Sequence, residues 1–254
     1  MSAPRCREGI RALASGWTPY GPNPWARRQS LWGRMKSSFL GLPLVVRLLL
    51  VVQAALYLAV VLAGRLPGEE YVTLSASAVT SGRVWTLLTH MPFHFRSDAF
   101  GFLFDVSVLW SLGGIFGRRW RQTHFLFFYG TAGVVGGLAH VGAGLLWPAG
   151  CGVPYLGSEA SSFALLTAFW VVFGETPVSM FGSPPFKGKW VFFGLAALEV
   201  VLFVSGNNPA FFVQAGGTLG GWLMLTGRWR PGKLRAWLDG LARKRERSRF
   251  RVLH

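Results

Sequence analysis

Long apolar stretches separated by short polar segments fill the chain from residue 44 to residue 226. A helix needs roughly 20 mostly apolar residues to cross a bilayer. The pattern predicts six membrane-spanning helices, at 44–64, 100–116, 125–147, 158–173, 190–204 and 209–226. The fourth and fifth are short, so we expect neighbouring helices to shield their ends from lipid. A large soluble fold with six buried helices is the alternative. It predicts polar helix faces at a period near 3.6 residues, so the continuous apolar stretches favour the membrane interpretation.

The segments on either side of the apolar region are basic and polar. The first 43 residues contain several prolines, scattered Gly and Ser, and seven Lys or Arg, without the apolar run of an ordinary signal peptide. The chain therefore divides into three predicted parts. These are a loose basic N-terminal tail at 1–43, a six-span membrane domain at 44–226 and a basic C-terminal tail at 227–254.

Composition narrows the class of protein. Hydrophobic residues make up 51% of the 254 residues and charged residues 14%, with a net charge of +16. Soluble domains carry about 25% charged residues. These values exclude a disordered chain, which needs low hydrophobicity, and argue against an ordinary soluble enzyme. A basic nucleic-acid binder with a large core and a membrane protein with basic loops both remain.

The positions of the basic residues decide between these two classes. Of the 26 Lys and Arg residues, 22 lie in the two tails and in the loops after the second and fourth spans. Only Arg65, Arg83 and Arg96 lie on the other side, with Arg47 near the start of the first span. Cytoplasmic loops carry an excess of Lys and Arg. We therefore expect a multi-pass protein of a plasma or inner membrane with both termini cytoplasmic, and no nucleic-acid partner.

The sequence predicts neither a metal nor a cofactor. Cys6 and Cys151 would lie on opposite sides of the membrane, which makes a disulfide between them unexpected. His90 and His94 flank Pro92 without a third ligand at close spacing, so we expect no metal site there.

Five motifs in a fixed order carry a family resemblance. They are GRVWTLLTHMPFH at 82–94, DVSVLWSLG at 105–113, GVVGG at 133–137, PYLGSEASSFALL at 154–166 and QAGGTLGG at 214–221. Together they resemble the rhomboid family of intramembrane serine proteases over roughly residues 44–230. The resemblance implies an all-α bundle of six transmembrane helices. In its sixth span, the GxxxG pairs Gly216/Gly220 and Gly217/Gly221 let helix backbones approach closely.

The residues that carry the family's chemistry are replaced. The resemblance places Glu159 at the position of the catalytic serine and Gln214 at that of the catalytic histidine. It places Asp105 and Gly101 where the family has the Asn and His that help to bind the oxyanion. A serine protease needs a hydroxyl nucleophile and a base within hydrogen-bond reach. An amide such as that of Gln214 is no base near neutral pH, so the Ser–His dyad is missing at these positions.

A different alignment leaves an active protease open. Ser161 or Ser162 would then be the nucleophile, although a histidine would still be missing at Gln214. His140 is the only other histidine expected within the membrane, where it more simply serves as a polar group near a helix end.

The replaced positions suggest two roles for the site. Because the fold would bring Asp105, Glu159 and Gln214 together from three helices, they can form a hydrogen-bonded plug or a proton-sensitive polar site, and the plug is favoured. Glu199 in the fifth span is expected to be separate from them.

Three functions are consistent with the sequence. The leading prediction is a proteolytically inactive rhomboid-like protein that binds transmembrane segments of client proteins, a role that the resemblance implies because inactive relatives act on clients. The first alternative is an active intramembrane serine protease with a displaced serine, Ser161. The second is a proton or small-solute pathway that uses Asp105 and Glu159.

Overall fold

The computed structural model describes residues 17–18, 21–22, 31–64, 68–148, 153–178, 185–206 and 210–227. The chain forms two compact units, Met1–Leu42 and Pro43–His254. The predicted basic C-terminal tail at 227–254 lies outside the described residues, apart from Gly227.

The N-terminal unit contains regular structure within the segment expected to be a loose tail. Strand β1 (Trp17–Thr18) pairs antiparallel with β2 (Gly21–Pro22), and helix α1 covers Leu31–Leu40. Residues 31–40 include Leu, Met, Lys and Arg, which favour helix, and contain no proline. The helix stops before Pro43 because the residue that precedes a proline is disfavoured in helical conformation. The overall polarity of the tail predicted no regular structure, whereas the local helix propensity of residues 31–40 accounts for α1.

The regular structure among the described residues of the second unit is helical, apart from one short hairpin and an isolated bridge between Leu74 and Tyr155. The first half of its described elements is α2 (Leu44–Ala63), α3 (Glu69–Val72), α4 (Ala76–Thr80), α5 (Thr86–Thr89), α6 (Ala99–Val108), a π-helical turn (Leu109–Gly113) and α7 (Gly114–Arg119). The second half is α8 (Gln122–Leu146), α9 (Glu159–Phe173), strands β3 (Pro177–Val178) and β4 (Phe186–Lys187), α10 (Lys189–Val204) and α11 (Phe211–Thr226). The segments α6, π turn and α7 form one continuous helix.

The long helices coincide with the predicted apolar stretches. Within the described residues, three are long and apolar enough to cross a membrane: Leu44–Ala63, Ala99–Arg119 and Gln122–Leu146. Helix α9 is apolar but shorter. The mostly helical, membrane-type fold is therefore present, while the count of six crossings and the cytoplasmic termini stay predictions.

Contacts between loops identify the two ends of the bundle. At one end, Leu74 and Tyr155 exchange backbone hydrogen bonds of 3.0 and 2.8 Å, which tie the segment before α6 to the segment before α9. At the other end, the Arg119 guanidinium lies 4.9 Å from the centre of the Phe173 ring. We call these ends the loop end and the basic end.

Glu175 forms two ion pairs at the basic end. Its carboxylate lies 2.8 Å from Lys187 Nζ and 2.6 Å from Lys189 Nζ. Hydrogen bonds from these two ammonium groups lower the pKa of the exposed Glu175 to about 2. This carboxylate therefore stays ionised at neutral pH and pairs with two of the basic residues that were assigned to the cytoplasmic side.

Small residues set the packing of α11 between α8 and α9. A Cβ added to Gly217 would overlap the backbone of Ala160, and one added to Gly221 would lie 3.0 Å from Ala164. A Cβ on Gly216 would lie 2.8 Å from Gly136, and one on Gly220 would lie 3.2 Å from Val135. The two GxxxG pairs therefore face different neighbours, with Gly216/Gly220 against α8 and Gly217/Gly221 against α9.

Replacing Gly217 by Ala is expected to destabilise the bundle. The added methyl would force α9 and α11 apart, and overpacking of this kind typically costs about 1–3 kcal/mol. Gly142→Ala on α8 is the matched control, because a Cβ there meets no atom within 4 Å. Unfolding free energies in detergent should fall for Gly217→Ala and stay level for Gly142→Ala. Equal stability of the two variants would contradict this packing.

Candidate functional site

A buried carboxylate connects the helices near the loop end. Asp105 on α6 is fully buried, and its Oδ2 accepts hydrogen bonds from the backbone N of Ser158 (2.9 Å) and from Ser158 Oγ (2.7 Å). Its Oδ1 accepts one from Ser162 Oγ (2.6 Å) on α9. His94 Nε2 lies 3.1 Å from Oδ2. Since a carboxylate only accepts, four hydrogen bonds from three residues converge on Asp105.

Two further side chains extend this cluster to α2 and α8. Gln53 Nε2 donates to Ser158 Oγ (3.0 Å) and to the hydroxyl of Tyr129 (3.1 Å). Gln53 and Tyr129 are buried as well. We call Gln53, His94, Asp105, Tyr129, Ser158 and Ser162 the Asp105 cluster. It joins α2, α6, α8 and α9 through polar atoms in otherwise apolar surroundings.

Of this cluster, the sequence singled out Asp105 as a site residue and Ser162 as a nucleophile under the different alignment. Gln53 was overlooked although it interrupts an apolar span, and polar side chains inside a membrane usually have partners. His94 was considered only as a metal ligand. Within the described part of the chain, no group of three His, Cys, Asp or Glu residues has the arrangement of a metal site.

Glu159 and Gln214 meet in a separate cavity. Gln214 Nε2 on α11 donates to Glu159 Oε2, the first residue of α9, over 2.8 Å. Both residues line a cavity of about 370 Å³ between α6, α9, α10 and α11, as does Gly101. Asp105 is not among the lining residues, since its carboxylate faces the Asp105 cluster. The structure thus brings three of the four predicted site residues to one cavity and places the fourth outside its lining.

Gly101 has a local structural role at the start of α6. Its backbone N donates to Asp98 Oδ1 over 3.0 Å, so Asp98 caps the helix. A Cβ at position 101 would lie 2.7 Å from this same oxygen. A larger residue here requires the Asp98 side chain to move, and Asp98 itself lines the cavity.

Glu199 lies at the cavity, contrary to the expectation that it is separate. It projects from α10, lines the same cavity and contacts Gln214. Glu199 and Gln214 also line an adjoining apolar groove of about 560 Å³ between α9, α10 and α11. Sequence spacing could not reveal this meeting, because the two positions are 15 residues apart on different helices.

None of the nearby serines is hydrogen-bonded to a histidine. Ser161 is fully buried and its Oγ donates to the backbone oxygen of Tyr129 over 2.7 Å. Ser158 and Ser162 donate to Asp105. His140 places Nε2 3.0 Å from the backbone oxygen of Val153.

His90 forms a second polar feature of the loop end, in the short helical segment before α6. Its Nδ1 lies 2.8 Å from the Thr86 backbone oxygen, and its Nε2 is buried without a hydrogen-bond partner among the described residues. Burial lowers the pKa of His90 to about 4. The ring is therefore neutral at pH 7.

Replacing Asp105 by Asn should destabilise the protein by about 3 kcal/mol, because a buried carboxylate that several donors share loses one acceptor oxygen and gains an unmatched amide. Ser162→Ala removes one donor and should cost about 1 kcal/mol. Glu175→Gln, at an exposed carboxylate, serves as the control. Unfolding free energies in detergent test this order, and an Asp105→Asn protein as stable as the control would refute it.

Acidification should destabilise the fold through His90. The ordinary His pKa is near 6.5, so between pH 7 and pH 5 the unfolded chain binds a proton that the folded chain excludes. The contribution of neutral His90 to the unfolding free energy is present above pH 6.5 and is lost as the pH falls toward 4. The loss is about 2 kcal/mol between pH 7 and pH 5. His90→Gln lacks this proton, so its unfolding free energy should depend less on pH. Parallel pH curves for the two proteins would exclude His90 as the cause.

Comparison with known families identifies the family of the chain. The model of the family described as the Rhomboid domain matches residues 81–231. A search of curated proteins finds no match. The matched region covers more than half of the chain, from the segment before α5 to the end of α11. The chain therefore belongs to the rhomboid family of membrane proteins.

Proposed function

We propose that this rhomboid protein is proteolytically inactive and binds transmembrane segments of client membrane proteins. The hydrogen bond between Glu159 and Gln214 carries the proposal, because it occupies the positions of the family's nucleophile and base. Gln214 has no basic nitrogen to accept a proton, and Glu159 has no hydroxyl to be activated. The pair fits a plug better than a catalytic dyad.

The surroundings of Asp105 support the same proposal. An oxyanion site needs hydrogen-bond donors directed at the developing negative charge. Asp105 instead accepts the backbone N–H of Ser158, directly before the nucleophile position. A carboxylate here opposes negative charge, so the arrangement disfavours acyl transfer.

The alternative with a displaced serine receives no support from the contacts. Ser161 donates to a backbone oxygen, and His94 lies against Asp105 rather than a serine. A proton or solute pathway is disfavoured as well. Asp105 and Glu159 bond to different partners, and Asp105 is fully buried.

Client binding is supported by the cavity and groove beside the plug. Interhelical hydrogen bonds and close packing, rather than hydrophobicity, hold transmembrane helices together. The groove offers Phe163, Trp170 and Phe211 for packing, and the cavity offers polar groups. A helix with a polar residue that is costly in lipid gains a partner at such a site.

Catalysis and binding can be tested separately with the purified full-length protein in lipid nanodiscs. We expect no labelling by a fluorophosphonate and no cleavage of a panel of transmembrane substrates, with an active rhomboid protease as the positive control. In the same discs, fluorescence energy transfer should report binding of labelled transmembrane peptides. The plug's residues lack the chemistry for cleavage but leave the groove open to a helix.

The serine variants distinguish the remaining outcomes. Cleavage that Ser161→Ala abolishes, and that Ser158→Ala and Ser162→Ala retain, would establish the displaced-serine protease and overturn inactivity. Absence of energy transfer with every peptide would overturn client binding.

A further inference from the structure

The polar cavity and the apolar groove form one surface with an acidic centre. Glu199 and Gln214 line both of them, so the groove continues into the cavity at these two residues. Among the described residues that line the cavity, Asp98, Glu159 and Glu199 carry carboxyl groups and none is Lys or Arg. This acidic concentration occurs in a chain whose net charge is +16.

The groove is bordered by the most loosely packed of the long helices. Along α10, only Phe192 is buried, whereas α9 is buried from Ala160 to Ala168. Helix α10 also contacts α11 far less extensively than α8 or α9 does. Because so little of α10 is held by neighbours, this side of the bundle can admit another helix with little loss of native packing.

Glu159, Glu199 and Gln214, which line the cavity, lie close to the loop end of their helices. Glu199 lies five residues before the end of α10, and Gln214 lies three residues after the start of α11. At 1.5 Å per residue, both are roughly 5–8 Å inside the helix ends. Glu159 is the first residue of α9. A long, flexible side chain from a docked helix can reach this depth while its stem stays in apolar surroundings.

We infer that the groove accepts a transmembrane helix carrying a Lys or Arg one to two turns from its loop-end terminus, and that Glu199 and Glu159 bind its cationic group. The inference rests on the proposed client binding and names the client class. A basic residue in an apolar helix is costly in lipid, so carboxyl groups on two helices, which can ionise beside the cation, favour binding of such a segment. The aromatic side chains of the groove pack against the rest of the helix.

Matched peptides in nanodiscs test the charge preference. Each is an apolar helix of roughly 20 residues that carries Lys, Leu or Glu at one position, about five residues from one end. A charge-assisted hydrogen bond corresponds to a preference of about 10- to 100-fold, so the Lys peptide should bind that much more tightly than the Leu peptide. The Glu peptide should bind most weakly.

Charge variants of the protein test which residues cause the preference for the Lys peptide. Glu199→Gln and Glu159→Gln should each reduce the Lys preference, whereas Glu175→Gln, which alters only the basic end, should retain it. Glu199→Lys should reverse the order and favour the Glu peptide. If Glu159→Gln proves unstable, Glu199→Gln and Glu199→Lys still test the charge preference. Both variants should fold, because α10 contributes little to the buried core.

The outcomes separate this inference from the proposed function. Equal binding of the Lys, Leu and Glu peptides would retain client binding and overturn the charge preference, as expected for a groove that recognises only the shape of a helix. Binding of no peptide would overturn both. A Lys preference that survives Glu199→Gln and Glu159→Gln would place the cation elsewhere and overturn the assigned site.

Discussion

The polar contacts of Asp105 are the constraint on which the bundle depends. A buried carboxylate in apolar surroundings is unfavourable unless hydrogen bonds compensate it. Asp105 receives them from Ser158, Ser162 and His94, while Gln53 links Ser158 to Tyr129. Because these donors belong to separate segments, satisfying one carboxyl group fixes the relative positions of four helices. Apolar side chains interact about equally well with protein and with lipid, so apolar packing alone would specify those positions only weakly.

The small residues of α11 impose a complementary constraint. Helices α8, α9 and α11 approach so closely that backbone atoms face each other across Gly216 and Gly217. Along helix α10 only Phe192 is buried, and a Cβ added to its Gly194 would meet no atom within 4 Å. The fold therefore combines a rigid trio of helices with one peripheral helix, and the cavity lies between them.

The sequence predicted the helices well because their signal is local. Apolar stretches bounded by charge mark α2, α8 and α11 to within a few residues. The meeting of Glu159 with Gln214 followed from the family pattern rather than from the residues themselves, and their loss of catalytic function stays a prediction. The sequence could not predict the hydrogen-bond partners of Asp105, because they come from distant segments whose positions only the folded structure defines. Glu199 is similar, since the spacing along α10 does not reveal which neighbour it faces.

The π-helical turn at Leu109–Gly113 has a consequence for the orientation of the two halves of this helix. Such turns carry one residue more than the α-helix would at that point, and each residue of an α-helix turns the chain by about 100°. The half that bears Asp105 and the half that bears Arg118 and Arg119 are therefore offset by a fixed rotation from the positions they would have in an uninterrupted α-helix. The face that Asp105 turns toward Ser158 and Ser162, and the face on which the two arginines stand at the basic end, are set by this offset as well as by the spacing of the residues along the chain.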